Sequence, residues 1–301
     1  MTEYCIPGSV TEALKILAAH RGRAMIIAGG TDAMPDIRRG KKKPHCLVDI
    51  TRIPGLDAVA VEEEFVDVGA AVTFSALRHH PYLQSRFHAL TEASAAVGAP
   101  DIQNVATWAG NLVQAMPAAD GAIVALALDA QALVEDVEGA RWQPVADLFA
   151  GPGRSKIDPT CQILTHLRFP IPDRVWGTAW RRIGRRDSLV LPILNCAVML
   201  EVAEGRVAEA RIAVGPVAPV PFRAVAAEAF LVGKLPGEAA FRKAARIVQA
   251  ESDPRSSRTR ASREYRLAVL TDLIHEALSS AALKADLEPD QTLFPNEESR
   301  P

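Results

Sequence analysis

The chain has 301 residues, 49% of them hydrophobic and 23% charged, and its 34 basic and 36 acidic side chains leave a formal charge of −2. That globular composition excludes intrinsic disorder, a collagen-like repeat and a disulfide scaffold, and it lacks the basic excess of nucleic-acid binders. The length accommodates two domains, each able to bury a core of its own.

The N-terminus, Met1-Thr2-Glu3-Tyr4-Cys5-Ile6-Pro7-Gly8, has neither the charged region nor the apolar run of a signal peptide, so a cytoplasmic location is expected. The spacing predicts a first helix over 10–20, opened by the capping box Ser9-Val10-Thr11-Glu12 and carrying Val10, Ala13, Leu14, Leu17 and Ala18 on one face. Short apolar runs predict strands at 24–28 and 46–50, separated by the basic loop 38–43, which reads as a solvated charge run. Further strands are expected at 66–70 and 132–136, the latter turning through Glu138-Gly139 into a strand over 141–145, with helical segments near 75–80 and 90–97.

The longest apolar stretch, 121–134, is interrupted by Asp129 and Gln131 and is too short to span a membrane. Arg168-Phe169-Pro170-Ile171-Pro172-Asp173 reads as unable to continue a helix or a central strand, which makes it the expected domain boundary. Beyond it, runs at 198–202 and 210–214 flank Glu204-Gly205 as a strand pair, helices dominate from Ala224 to about Leu283, and a polar tail follows. Trp176 and Trp180, near the boundary, read as interdomain packing at least as readily as a flavin platform. Cys5, Cys46, Cys161 and Cys196 show no metal-ligand spacing and read as reduced, buried thiols.

Two segments combine small residues with hydrogen-bonding ones: Ala28-Gly29-Gly30-Thr31-Asp32 and Thr107-Trp108-Ala109-Gly110-Asn111. Read as loops, each can present consecutive backbone N–H groups to an anion, glycine giving access to positive φ and to close approach of a diphosphate. Taken singly, each reads more readily as a tight turn. No G-x-G-x-x-G joins a strand to a helix, and Gly151-Pro152-Gly153-Arg154-Ser155-Lys156 lacks the Walker A spacing, so a Rossmann dehydrogenase and a P-loop NTPase are disfavoured. His79 and His80 diverge as neighbours, and no zinc-protease or serine-nucleophile motif occurs.

In order and separation, the two segments resemble the A-G-G-T-D and T-x-G-G-N motifs of the FAD-binding medium subunits of molybdenum hydroxylases, the xanthine dehydrogenase and carbon monoxide dehydrogenase family. The second is followed here, as there, by Pro117-Ala118-Ala119-Asp120. Further matches are Gly69-Ala70-Ala71-Val72-Thr73, the lead-in 102–107, the stretch 214–224 and Ser262-Arg263-Glu264-Tyr265-Arg266. Departures are Ala109 for the first glycine of the second motif, Trp108 for a smaller aliphatic residue, and Met116 for serine.

The resemblance implies an α+β chain, with a two-subdomain FAD-binding fold of the vanillyl-alcohol-oxidase/PCMH-like type over 1–172, its subdomains about 1–55 and 56–172. A smaller sheet-plus-helices C-terminal domain over 173–285 and the tail 286–301 complete the expectation. It implies FAD as cofactor, held by Ile26, Ile27, Ala28, Gly29, Gly30, Thr31, Asp32 and Ala33, by Thr107, Gly110 and Asn111, and by Asp120, with Leu164 and Arg181 flanking the flavin. It implies an electron-transfer oxidoreductase subunit with a small [2Fe–2S] partner and a large molybdopterin partner, and neither a nucleic-acid partner nor a resident metal. The alternatives are a stand-alone FAD-dependent oxidoreductase of the same fold and a non-catalytic scaffold with weakened FAD binding.

Overall fold

The computed structural model describes residues 2–185 and 191–285; the tail expected over 286–301 lies outside them. The first unit is β1 (Glu3–Cys5), α1 (Val10–His20), β2 (Ala24–Ile27), α2 (Ala33–Arg38) and β3 (Cys46–Asp49), with the strands forming a parallel sheet in the order β1-β3-β2. The capping box forms as the sequence predicts: Ser9 Oγ accepts from the Glu12 N–H at 3.2 Å, and the Glu12 carboxylate accepts from the Gly8 N–H at 2.8 Å. Ala13, Leu14 and Leu17 turn the helix's apolar face to the core.

The second unit is an antiparallel sheet in the order β4-β5-β10-β6-β7, from β4 (Val59–Val61), β5 (Phe65–Gly69), β6 (Gln131–Asp136), β7 (Gly139–Pro144) and β10 (Ile163–Pro170). Helices α3 (Phe74–His79), α4 (Pro81–Arg86), α5 (His88–Ala96), α6 (Pro100–Gln103), α7 (Trp108–Val113) and α8 (Asp120–Ala127) lie between β5 and β6 in the chain, and the hairpin β8 (Phe149–Gly151) and β9 (Arg154–Ser155) follows β7. The apolar stretch near 121 becomes α8, every residue of which is buried. A helix apolar all round belongs inside the protein. No helix among the described residues is long and apolar enough to cross a membrane.

The proline-rich stretch corrects the sequence reading. Arg168, Phe169 and Pro170 continue the central strand β10, paired with Asp67, Val66 and Phe65. The strand tolerates proline because alternate residues face alternate neighbours. Ile171 donates to Glu64 O at 2.8 Å, so Pro170 faces the β6 side, where pairing has ended at Arg168 and Gln131.

The third unit is the antiparallel sheet β11 (Gly177–Ile183), β12 (Leu194–Ala203), β13 (Arg206–Gly215) and β14 (Phe222–Arg223), with α9 (Val225–Leu231), α10 (Glu238–Glu251) and α11 (Arg263–Ala285). Its strands alternate between two cores. Trp180, Ala197, Met199 and Ala213 join the core shared with the preceding units, whereas Ala179, Cys196, Val198, Ile212 and Val214 pack under this unit's own helices. Trp180 is thus interdomain packing, and Trp176 packs against the same shared core. A Cβ on Gly177 would lie 1.7 Å from Ala281 O, so glycine here lets α11 rest directly on the first strand of this sheet.

Glu92 pins the junction. Its carboxylate accepts from the Trp180 N–H at 2.9 Å and from Lys284 Nζ at 2.7 Å, and it faces Arg181 at 3.5 Å. Two of the four cysteines depart from the expected burial: Cys46 and Cys196 are buried, but Cys5 is only half-buried and Cys161 is exposed.

Candidate functional site

The parallel strands β2 and β3 release their C-terminal ends, Ala28 to Asp32 and Ile50, into a cavity of about 790 Å³. This is toward the upper end of small-molecule sites, roughly 300–1,000 Å³. Thr107, Ala109, Gly110 and Asn111 line the same cavity, with Ile163 and Leu164 of β10.

The two glycines of the first segment serve different ends. Gly30 has φ of +66°, the left-handed region glycine enters freely. Gly29 gives close approach: a Cβ there would stand 1.9 Å from Val105 O and 2.9 Å from Ala106 Cα, just ahead of the second segment. The backbones of the two motifs are therefore brought together at Gly29. The N–H groups of Gly29, Gly30, Thr31 and Asp32 meet no acceptor among the described residues, and a run of free N–H groups on a tight turn is a cradle for an anion.

The second segment differs from its reading as a loop. Thr107 is the N-cap of α7, its Oγ1 accepting from the Gly110 N–H at 3.0 Å, so this stretch is a cap and first helical turn. Ala109 fits without strain because it sits at a helical position with negative φ. Trp108 is fully buried and donates through Nε1 to Gly121 O at 2.9 Å, which makes it a core residue tying α7 to α8. Asn111 lines the cavity, but its Oδ1 is buried without a partner and lies against α8, where a Cβ on Gly121 would come within 2.6 Å of it. Met116 does not line the cavity and is exposed.

Of the residues singled out from the sequence, Ile26, Ile27, Ala28, Gly29, Gly30, Thr31, Asp32, Ala33, Thr107, Gly110, Asn111 and Leu164 share this cavity. Asp120 and Arg181 lie outside it. Asp120 opens α8 and accepts from Asn195 Nδ2 of β12 at 2.6 Å. Burial drives its carboxyl up to about 7, against the lowering influence of the Asn195 hydrogen bond and the more distant Arg182 charge. Arg181, on β11, is held by Glu276 at 2.9 Å, by Ser280 at 2.9 Å and by Glu92.

The cavity also holds residues that the sequence did not single out for it. Lys42, from the basic loop read as merely solvated, lines it, as do Arg154 and Ser155 of β9 and Gln162. The Gly-Pro-Gly turn at 151–153 was the available signal for the β8–β9 hairpin. Asp32 has its carboxyl raised first by burial and then by Asp36, with Lys42 opposing. The unclaimed N–H run and these two cations fit a dinucleotide with an anionic bridge.

A parallel and an antiparallel unit closing over a nucleotide-sized cavity define a cofactor-binding α+β protein. Residues 1–172 match the family described as the FAD binding domain in molybdopterin dehydrogenase, and residues 179–281 match the CO dehydrogenase flavoprotein C-terminal domain. The nicotinate dehydrogenase FAD-subunit of Eubacterium barkeri is 31% identical over 77% of this chain and 79% of its own length. The xanthine dehydrogenase FAD-binding subunit of Escherichia coli O157:H7 is 28% identical over 94% and 96%. A carbon monoxide dehydrogenase structure from Hydrogenophaga pseudoflava superposes with a TM-score of 0.89 at 29% identity, covering 94% of this chain and 98% of that one. The chain belongs to the family of FAD-binding subunits of molybdenum hydroxylases. Its cofactor is FAD, and it is a subunit of an oxidoreductase.

Proposed function

We propose that this chain carries electrons from the [2Fe–2S] clusters of a small partner subunit, through FAD, to an external acceptor, while a large molybdopterin subunit oxidises the substrate. The observation that carries this reading is the cavity in which both glycine-bearing segments converge, lined by four unclaimed N–H groups and by Lys42 and Arg154. In this reading the N–H run of Gly29 to Asp32 holds the FAD diphosphate, assisted by Lys42 and Arg154. Thr107, Gly110 and Asn111 fix the cofactor from the second segment, and Ile26, Ile27 and Leu164 supply apolar contact. Bound FAD supplies the redox chemistry, taking up electrons from one partner and releasing them to another. Asp120 and Arg181 act behind the cavity, tying the first two units to the C-terminal one through Asp120–Asn195 and Glu92–Arg181.

The charged side chains of the cavity wall are Asp32, Lys42 and Arg154. That set suits binding and orientation of a cofactor. The test is flavin analysis of the purified chain, followed by anaerobic mixing with a chemically reduced [2Fe–2S] protein. About one FAD per chain, bleached by the reduced cluster and not by candidate organic substrates alone, is expected. A chain that retains no FAD after incubation with excess cofactor refutes the site; flavin reduced directly by an organic substrate refutes the relay and establishes a stand-alone oxidoreductase.

A further inference from the structure

We propose that Glu3, Cys5, His20 and Cys46 form a binding site for a thiophilic divalent cation, Zn(II), that clamps the edge of the first sheet. Spacing along the chain conceals this cluster; strand register creates it. Glu3 and Cys5, two residues apart on β1, share one face of the sheet. Glu3 is the register partner of Cys46 on the parallel strand β3, which brings the Cys46 side chain to the same face. Helix α1 packs beside these strands and ends at His20, whose Nε2 lies 3.6 Å from the Glu3 carboxylate.

The distances are those of a ligand set. Cys46 Sγ lies 3.3 Å from Cys5 Sγ, Cys5 Sγ lies 3.4 Å from Glu3 Oε1, and one donor atom from each of the three residues falls within 4.8 Å of the others. Ligands at about 2.3 Å from a tetrahedral zinc are separated by about 3.7 Å, so small movements of Glu3, Cys5 and Cys46 seat the cation, while His20, which lies beside Glu3 but outside the trio, must turn toward the sulfurs to become the fourth ligand. Among the described residues this is the one such cluster of three or more histidine, cysteine and acidic residues. Two sulfur donors disfavour magnesium and calcium, while the added imidazole and carboxylate favour zinc over cuprous ion. The cation would tie β1, an edge strand of three residues, to β3 and to the last turn of α1. Cys46 begins β3, at the end opposite the cavity, so the clamp is structural and independent of the flavin site.

The experiment uses the full chain, reduced and stripped with chelator, then titrated with zinc in competition with a chromogenic chelator and, separately, with cobalt(II). One equivalent of zinc is expected, together with thiolate-to-cobalt charge-transfer absorption and a rise in melting temperature on adding zinc. Cys5→Ser and His20→Ala are expected to weaken zinc binding by about tenfold or more, while Cys161→Ser leaves it unchanged and all three keep their flavin. Cys5 is only half-buried and His20 ends a helix, so these variants avoid the folding risk of replacing the buried Cys46. Failure of the folded, fully reduced chain to bind zinc overturns the proposal. So does binding that persists undiminished in Cys5→Ser, or anaerobic purification of the chain with a Cys5–Cys46 disulfide.

Discussion

Replacing Asp120 by asparagine should stabilise the chain at neutral and alkaline pH and leave its stability almost unchanged in mild acid. The carboxyl is 6% exposed, and burial raises it from 3.8 to about 7. A folded-state value above the unfolded one means that the folded chain holds a proton the unfolded chain has lost. Stability therefore falls as pH rises from about 4 through about 7, and the whole cost is present above that window. Holding the carboxyl at about 7 instead of 3.8 costs the ionised folded chain about 4 kcal/mol at about pH 8. The amide is neutral throughout and still offers an oxygen to Asn195 Nδ2, so it escapes that cost while keeping the 2.6 Å contact. Urea unfolding of the flavin-free proteins between about pH 4 and pH 8 measures it, because the difference between variant and parent cancels every other titrating group. A difference that stays constant over the window refutes the reasoning, since it would mean that the carboxylate is ionised without penalty. Flavin content measured alongside separates the two roles: loss of FAD in Asp120→Asn would show the carboxylate touching the cofactor, and retention is expected.

Gly29→Ala places a methyl 1.9 Å from a backbone carbonyl that cannot swing aside, so the two motif segments must part. A loss of about 1–3 kcal/mol in stability and of most bound FAD is expected from denaturation and flavin-to-protein ratios. Gly110→Val puts a branched side chain in the cavity wall with its Cβ 2.9 Å from Thr107 Oγ1, displacing the cap; flavin should be lost at a stability cost of about 1 kcal/mol, and unchanged flavin in the folded variant would remove this residue from the site. Glu92→Ala strips the acceptor from the Trp180 N–H and the partner from Lys284, and should cost about 1–3 kcal/mol in urea unfolding while FAD content holds.

What the sequence revealed follows the range of the interactions involved. Helix α1 was legible to its ends because its cap, its apolar face and its boundaries lie within twelve residues. Helix α7 was read as a loop because six residues are too few to show a period, and its cap is a lone threonine without the glutamate that marks α1. Strand β10 passes through Pro170 because the neighbouring strand β6 has already ended, a fact of tertiary pairing that no local rule contains. The cavity was legible where glycines recur in motifs, and illegible at Lys42, whose loop reads as solvated charge, and at Arg154, whose segment reads only as a failed Walker A match; the fold brings both exposed side chains to the cavity rim.

The position of the cavity ties these observations to function. Gly29 is excluded from carrying a side chain by the backbone of the second segment, so the distance between the two motif segments is set by main-chain contact and cannot be adjusted by rotamers. Asn111 is fixed in turn by α7 packing on α8 through Trp108 and Gly121, and α8 is buried against the C-terminal sheet at Asn195. The cofactor site is thus one end of a rigid chain of contacts whose other end is the third unit. Substitutions at the cavity end of that chain, at Gly29 and Gly110, should therefore alter flavin retention, while those at its far end change stability first, because the protein's share of the work is to hold and orient a cofactor that carries the redox chemistry itself.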